Sequence, residues 1–276
     1  MTFSHPDRNL KVAMLPLDIK LGDIRHNVAA AEMRIRELDK DTDLVVLPEL
    51  FNIGFGDYGM SPREYSEPDN GFTVTTMQRL ADELNLGIIG GFMGRNGNDL
   101  LNRAFFLRPF ASPVFYNKRH LFAGPEQHIF ARGTNLPPIV EFRSWRLKLI
   151  ICYDLRFPVW TRAVNNDYDA LVHIANWPNS RYYAYKQLLI ARAIENQAYI
   201  AACNREGSDV YGDYARGDSM LLNAMGYIVS TCEKDGTVKG TFDHEVFLSD
   251  RKKLQPWRVA DSFFIEGVAP PEAEQE

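Results

Sequence analysis

Three side chains of unlike chemistry stand where apolar runs end. Glu49 closes the run in LVVLPELF, Lys118 the run in VFYNKRHLF, and Cys152 the run in LKLIICYDLRF. A carboxylate, an ammonium and a thiol are the working parts of a nucleophilic hydrolase. The carboxylate takes the thiol proton. The ammonium favours the thiolate, then the oxyanion that forms on a substrate carbonyl. The ends of strands are where α/β proteins collect such groups. Taken singly, each has a plainer reading: a cysteine after a strand is more often core filler, and a Glu or Lys there is usually just solvated.

The runs that carry these residues read as strands. Strands are expected over 12–17, 44–48, 86–92, 103–108, 113–118, 147–153, 170–176, 198–204, 219–224 and 227–231. Several are apolar on both faces, as in strands covered on both sides or packed in a sandwich core. Helices are expected over 24–38, where Val28, Ala31, Met33, Ile35 and Leu38 recur at helical spacing, and over 73–85, 158–165, 182–197 and 243–252. Asp243 is placed to cap the last of these. Helices early and late with mixed strands between them predict an α/β fold of α-β-β-α layering, although a doubly wound single sheet gives similar alternation. Neither a linker nor a short repeat divides the chain. One domain over 1–268 is expected, with a disordered tail at 269–276, APPEAEQE.

Composition narrows the function. Of 276 residues, 45% are hydrophobic and 24% charged, the mix of a soluble globular protein. The net charge of -5 carries no basic footprint for nucleic acid or an anionic membrane. The apolar windows are far shorter than the roughly 20 residues that span a bilayer. The opening MTFSHPDRNLK has no apolar core of signal-peptide type. Three cysteines, Cys152, Cys203 and Cys232, make an odd set, each in or beside a strand-like run. A disulfide framework is not expected, and the reading is a reducing cytoplasm. The six histidines are scattered and none joins a cysteine at metal-ligand spacing, so no metal or organic cofactor is expected.

The surroundings of the three residues resemble the carbon–nitrogen hydrolase (nitrilase) superfamily. LVVLPELFNIGF, FYNKRHLF and ICYDLRFPVWTR match its Glu, Lys and Cys blocks in order and in approximate spacing, and the likeness runs from about Lys11 to about Val268. ANWPNSR (175–181), ARAIENQAYI (191–200), CNREGSD (203–209), YARGDSMLLN (214–223) and LQPWRVADSFFI (254–265) look most like the bacterial omega-amidase branch. The resemblance implies a carbon–nitrogen hydrolase domain over 1–268 with a four-layer α-β-β-α sandwich. It implies catalytic roles for Glu49, Lys118 and Cys152. A second family glutamate, seven residues before a glycine, falls on Glu126 ahead of Gly133 in GPEQHIFARG. The backbone N–H of Tyr153 is the implied partner of Lys118 in holding the oxyanion.

The implied reaction releases ammonia from the terminal amide of a short carboxylate-bearing amide, such as 2-oxoglutaramate, through an acyl-thioester on Cys152. A pocket for such a substrate needs a cation, and Arg156 and Arg181 are the candidates. Phe51, Phe55, Tyr58 and Trp177 are candidate walls. Arg192, Glu195 and Asn196 read as structural hydrogen-bonding groups beneath the site. Deaminated glutathione, an N-carbamoyl amine or another aliphatic amide are alternative substrates, and a non-catalytic assembly partner is a further reading. The expected partners are the amide and water, with no nucleic acid and no membrane. The resemblance also implies a homodimer, or a larger even homo-oligomer, joined through the helices at 158–165 and 182–197. Phe157, Val159 and Trp160 on the first, and Tyr182, Tyr183 and Tyr185 on the second, are the expected contact aromatics and apolars.

Overall fold

Runs that are apolar on both faces must be covered twice, and the chain does this by stacking two sheets between helices. The computed structural model describes residues 6–56, 61–261 and 263–268. Tyr58 and the tail at 269–276 lie outside the described residues. Among the described residues the strands are β1 (Leu10–Met14), β2 (Leu44–Val46), β3 (Gly87–Asn96), β4 (Asp99–Leu107), β5 (Val114–Asn117), β6 (Ile139–Phe142), β7 (Trp145–Ile151), β8 (Ala170–Ala175), β9 (Tyr199–Asn204), β10 (Gly207–Asp209), β11 (Gly212–Tyr214), β12 (Met220–Leu222), β13 (Ser230–Cys232) and β14 (Val238–Phe242). The helices are α1 (Ile24–Arg36), α2 (Phe72–Leu84), α3 (Pro158–Thr161), α4 (Tyr182–Asn196) and α5 (His244–Lys253).

One sheet has the order β13-β14-β1-β2-β3-β4-β5, and the other β12-β9-β8-β7-β6. The two-residue period of a strand decides what each side chain faces. On β2, Val45 points to α1 and α2 and packs with Val28, Ile35, Val74 and Met77. Its neighbours Leu44 and Val46 point the other way, into a core shared with Leu147, Leu149, Val172 and Ile174 of the second sheet. That sheet is covered in turn by α4, through Tyr185, Leu189 and Ala193. The layering is the helix-sheet-sheet-helix sandwich expected from the pattern. Asp23 and Asp243 cap α1 and α5 by accepting hydrogen bonds from the N–H groups of His26 and Val246.

Two expected elements come out differently. The helix at 158–165 is a single turn. Arg162 leaves it in extended conformation, φ -62° and ψ 133°, and its guanidinium donates to the carbonyl of Glu195 at 2.9 Å. Asn165 and Asn166 then take positive φ. The strand at 227–231 shrinks to β13, because the Asn223 side chain accepts from the N–H groups of Met225 and Tyr227 and holds a turn there. Of the aromatics expected at a dimer face, Trp160 and Tyr185 are buried in their own core. Strand β14 is not among the expected strands, its short VKGTF offering only Val238 and Phe242 as apolar side chains, yet it pairs antiparallel with β1 from Leu10↔Phe242 to Met14↔Val238.

One close approach sets the position of Glu49. The segment after β2 lies flat on β3: the N–H of Phe51 donates to the carbonyl of Gly91 at 2.9 Å, and the N–H of Gly91 to that of Pro48 at 3.1 Å. A Cβ on Gly91 would stand 2.7 Å from the Leu50 nitrogen and 2.9 Å from the Glu49 Cα. Gly91→Ala is therefore expected to cost about 1–3 kcal/mol of stability, the usual penalty of overpacking, and to lower amide turnover by displacing Glu49. Urea unfolding and a turnover assay check this; a variant with wild-type midpoint and rate would show that the segment yields freely.

Candidate active site

The cysteine is delivered on a bend. It follows β7 directly and takes φ 42°, a left-handed conformation that non-glycine residues seldom adopt without support. Residues Cys152–Arg156 then form a 3-10 turn. The support is a fully buried carboxylate, Asp154. It accepts hydrogen bonds from the N–H of Ile151 (3.2 Å), the hydroxyl of Tyr116 (2.7 Å) and the N–H of His120 (3.0 Å), and lies 2.8 Å from the His120 ring nitrogen Nδ1. Tyr116 takes a further bond from the indole N–H of Trp160 at 2.8 Å. Since Tyr116 lies on β5, two residues before Lys118, one side chain ties the cysteine bend to the lysine segment.

Lys118 enters from the end of β5 and is 2% exposed. Its ammonium donates to Glu49 Oε1 at 2.7 Å and to Glu126 Oε1 at 2.8 Å. Asn102 of β4 repeats the bridge, its amide N–H groups reaching the same two oxygens at 2.7 Å each. The second oxygens are also held: Glu49 Oε2 accepts from the N–H of Asn176 at 2.8 Å, and Glu126 Oε2 from that of Phe122 at 2.6 Å. Gly133 closes the segment behind Lys118, donating to its carbonyl at 2.9 Å. A Cβ there would come within 2.1 Å of the Asn117 carbonyl oxygen.

The charges follow from this enclosure. Burial pushes the Glu49 carboxyl up, but Lys118 and the donors on Asn102 and Asn176 outweigh it and hold the group below its ordinary value. Burial likewise raises Glu126; Lys118 opposes this and the Glu49 charge adds to it, leaving Glu126 raised. For Lys118 burial favours the neutral amine, yet Glu126 and Glu49 more than offset it, and the ammonium is held well above its usual range. The Cys152 thiol is pushed well up, by burial first and by the Glu49 charge second, with Lys118 pulling the other way. The lysine thus acts on the thiol in the expected direction but does not prevail. The resting set is an ionised Glu49, a charged Lys118 and a protonated thiol: a carboxylate able to accept a proton in the same pocket as a thiol that still carries one.

These groups face one pocket. It encloses about 560 Å³ including its open mouth, a size for a small molecule, and is lined by Glu49, Lys118, Glu126 and Cys152 together with Tyr153, Asn176 and six further aromatic or proline side chains. Phe55 and Trp177 are among these walls, and Arg156 and Arg181 stand at the pocket as exposed side chains. The Arg156 guanidinium lies 4.9 Å from the centre of the Trp177 ring, and that of Arg181 5.0 Å from the Phe122 ring. Neither has a carboxylate partner among the described residues. Phe51 is a correction: it is fully buried and packs edge-on against Phe105 beneath α1 and α2. Leu50 takes φ 46°, and this turn sends Phe51 to the outer core, away from the pocket that holds Glu49. Arg192, Glu195 and Asn196 brace the bend from below, Arg192 donating to the carbonyl of Leu155 at 2.8 Å and Asn196 accepting from the N–H of Ala163 at 2.8 Å. Sequence reasoning did not find Asn102, Asp154 or Asn176, nor Tyr211 and Tyr214 from the β10–β11 hairpin. An isolated polar residue in the apolar strand DLLNRAFFL was the one available signal for Asn102.

This arrangement belongs to a known class: the chain is a member of the carbon–nitrogen hydrolase family, whose model matches residues 11–252. Among its relatives is the omega-amidase YafV of Escherichia coli K12, 39% identical over 225 residues that make up 80% of this chain and 85% of that one. The 2-oxoglutaramate amidase of Bacillus subtilis is 29% identical, with 84% and 90% covered. Among solved structures, a CN-hydrolase superfamily protein of Xanthomonas campestris, with an arsenic adduct in its active site, is 31% identical with a TM-score of 0.87, covering 94% of this chain and 99% of that one. Among the described residues no helix is long and apolar enough to cross a membrane.

The raised thiol has a measurable sign. In a Cys203→Ala, Cys232→Ala background, the ultraviolet absorbance of the Cys152 thiolate is expected to be missing at neutral pH. In an alkaline titration it should emerge later than for a free cysteine, whose pKa is about 8.5. A thiolate band already present at pH 7 would show that Lys118 dominates instead.

Proposed function

We propose that the chain is an amidohydrolase of omega-amidase type, releasing ammonia from the terminal amide of a small carboxylate-bearing amide such as 2-oxoglutaramate. The observation that carries this is the buried Glu49–Lys118–Glu126 set facing the Cys152 thiol, in a pocket whose mouth presents two guanidinium groups without acidic partners among the described residues. Residues 1–268 act as one carbon–nitrogen hydrolase domain. The likeness to the omega-amidase and the 2-oxoglutaramate amidase supports the substrate class.

In this reading Glu49 takes the thiol proton as Sγ bonds to the amide carbon. The carbonyl oxygen becomes an oxyanion between the Lys118 ammonium and the N–H of Tyr153, which stands in the first turn of a 3-10 segment, where donors lack acceptors within the turn. Each such donor contributes about 2.7–4 kcal/mol to the transition state. The C–N bond breaks with the proton on Glu49 passing to the departing nitrogen, leaving ammonia and an acyl-thioester. Water then adds to the thioester carbon, giving its proton to Glu49, and the C–S bond breaks to release the acid and the thiol. Lys118 stays charged throughout, because the two carboxylates hold its proton. Glu126 positions Lys118 and the incoming amide. The carboxylate of the substrate lies against Arg156 and Arg181, between the aromatic walls.

Intact mass spectra of protein mixed with 2-oxoglutaramate test this. An acyl adduct is expected on Cys152, absent in Cys152→Ala and in Glu49→Gln; ammonia release by Cys152→Ala would end the proposal. Arg156→Ala or Arg181→Ala should raise KM about tenfold or more, the loss of one charged hydrogen bond. Equal turnover of a neutral amide of the same length would remove the carboxylate from the reading.

The cytoplasm is the proposed location, from the three unpaired cysteines. We also infer a homodimer, with larger even assemblies built on it. Val159 on α3, Tyr183 and Ile194 on α4, and Tyr227 and Ile228 between β12 and β13 are exposed apolar groups. The α3 and α4 faces lie behind the Cys152 bend, so a partner there braces it. Light scattering is expected to give at least twice 31.5 kDa at micromolar concentration; a fully active monomer would refute it.

A further inference from the structure

His173 has no part in the chemistry above, yet it lies directly behind the nucleophile. It is fully buried on β8, where it pairs in register with Ile150 of β7. Its Nε2 stands 3.1 Å from the carbonyl oxygen of Cys152. A carbonyl oxygen only accepts, so the ring carries its proton on Nε2. Burial holds the ring's pKa down at about 4, and it is neutral at neutral pH. Its other nitrogen, Nδ1, is left without a hydrogen-bond partner among the described residues, and so is the hydroxyl of Tyr185, whose ring centre is 5.7 Å away. An apolar side chain would fill this space without stranding buried polar atoms, each of which costs stability. What the histidine supplies in return is the one bond to Cys152.

That bond acts on more than the cysteine. The carbonyl of Cys152 and the N–H of Tyr153 are the two ends of a single rigid, trans peptide unit, and they point in opposite directions. Whatever holds the carbonyl toward the core holds the N–H toward the pocket. The peptide needs such a hold. It opens a short 3-10 turn, whose internal hydrogen bonds are poor, and follows a residue at φ 42°, where the backbone is under strain. We propose that His173 is a positioning residue: by binding the Cys152 carbonyl from behind, it keeps the Tyr153 N–H turned into the pocket as the second oxyanion donor. This rests on Cys152 being the nucleophile. It assigns the orientation of the donor to a side chain that never meets the substrate.

The test compares a reaction that forms an oxyanion with one that does not. Alkylation of Cys152 by iodoacetamide displaces iodide at a saturated carbon and has no use for the donor. His173→Leu is expected to lower kcat for amide hydrolysis about 100-fold, the effect of losing one oxyanion donor, with KM within about twofold. Its alkylation rate, read by intact mass, should stay close to wild type. His173→Gln can donate from a similar position and should recover most of kcat. Loss of alkylation in step with kcat would overturn the proposal, as would unchanged turnover in His173→Leu or no recovery in His173→Gln. Should His173→Leu fail to fold, nitrogen-15 spectra of the wild-type ring decide: the neutral Nε2–H form is required, and the Nδ1–H form overturns it. A wild-type protein that does not alkylate at Cys152 removes the nucleophile reading itself, a failure distinct from all of these.

Discussion

The Lys118 ammonium, closed off from water between Glu49 and Glu126, is the constraint around which the site is arranged. Three ionisable groups out of water are costly, several kcal/mol for each ion, and the cost is offset only when every proton and lone pair finds a good partner. Here the two carboxylate oxygens nearest the ammonium also accept from Asn102, and the two farther oxygens accept from backbone N–H groups. Those partners come from within β4, from the residue that follows β8 and from the segment after β5. The satisfied charge cluster therefore fixes where two sheets and one long connection meet. The cysteine is then set into a region whose field is already decided, and its thiol keeps its proton first because it is buried and second because Glu49 is ionised beside it.

Much of this was legible in the sequence, for a physical reason. An apolar run that ends on a charged or reactive residue announces an edge, and Glu49, Lys118 and Cys152 were singled out that way; their roles came from the family likeness of the blocks around them. Glu126 needed the family likeness, since a lone acid in GPEQHIFARG has no periodicity to place it. Phe51 shows the limit of local reading. Two residues from Glu49, it was expected beside it, but the left-handed turn at Leu50 breaks the alternation on which that expectation rests.

The residues that went unseen are the ones whose meaning lies in a distant partner. Asn102 is 53 residues from Glu49 and Asp154 is 38 from Tyr116, and neither stands in a pattern that spans such a gap. Strand β14 escaped because VKGTF has only two apolar side chains, Val238 and Phe242, separated by Gly240, too short a pattern to stand out before its pairing with β1 is seen. The one-turn length of α3 depends on the Arg162 guanidinium finding the carbonyl of Glu195, a contact between elements and not a propensity.

Asp154 has a bearing on how the molecule comes to exist. Its four polar contacts draw together the cysteine bend and a stretch more than thirty residues earlier in the chain. Neither side can settle alone: without the bend, Tyr116 and the His120 N–H have no buried acceptor, and without them the bend encloses a bare carboxylate. Such a knot closes late, after the strands on both sides have found their sheets, because contacts across long loops form only once the loop entropy has been spent. The directed thiol is therefore a property of the finished sandwich: with this knot untied, Cys152 is an ordinary, undirected cysteine.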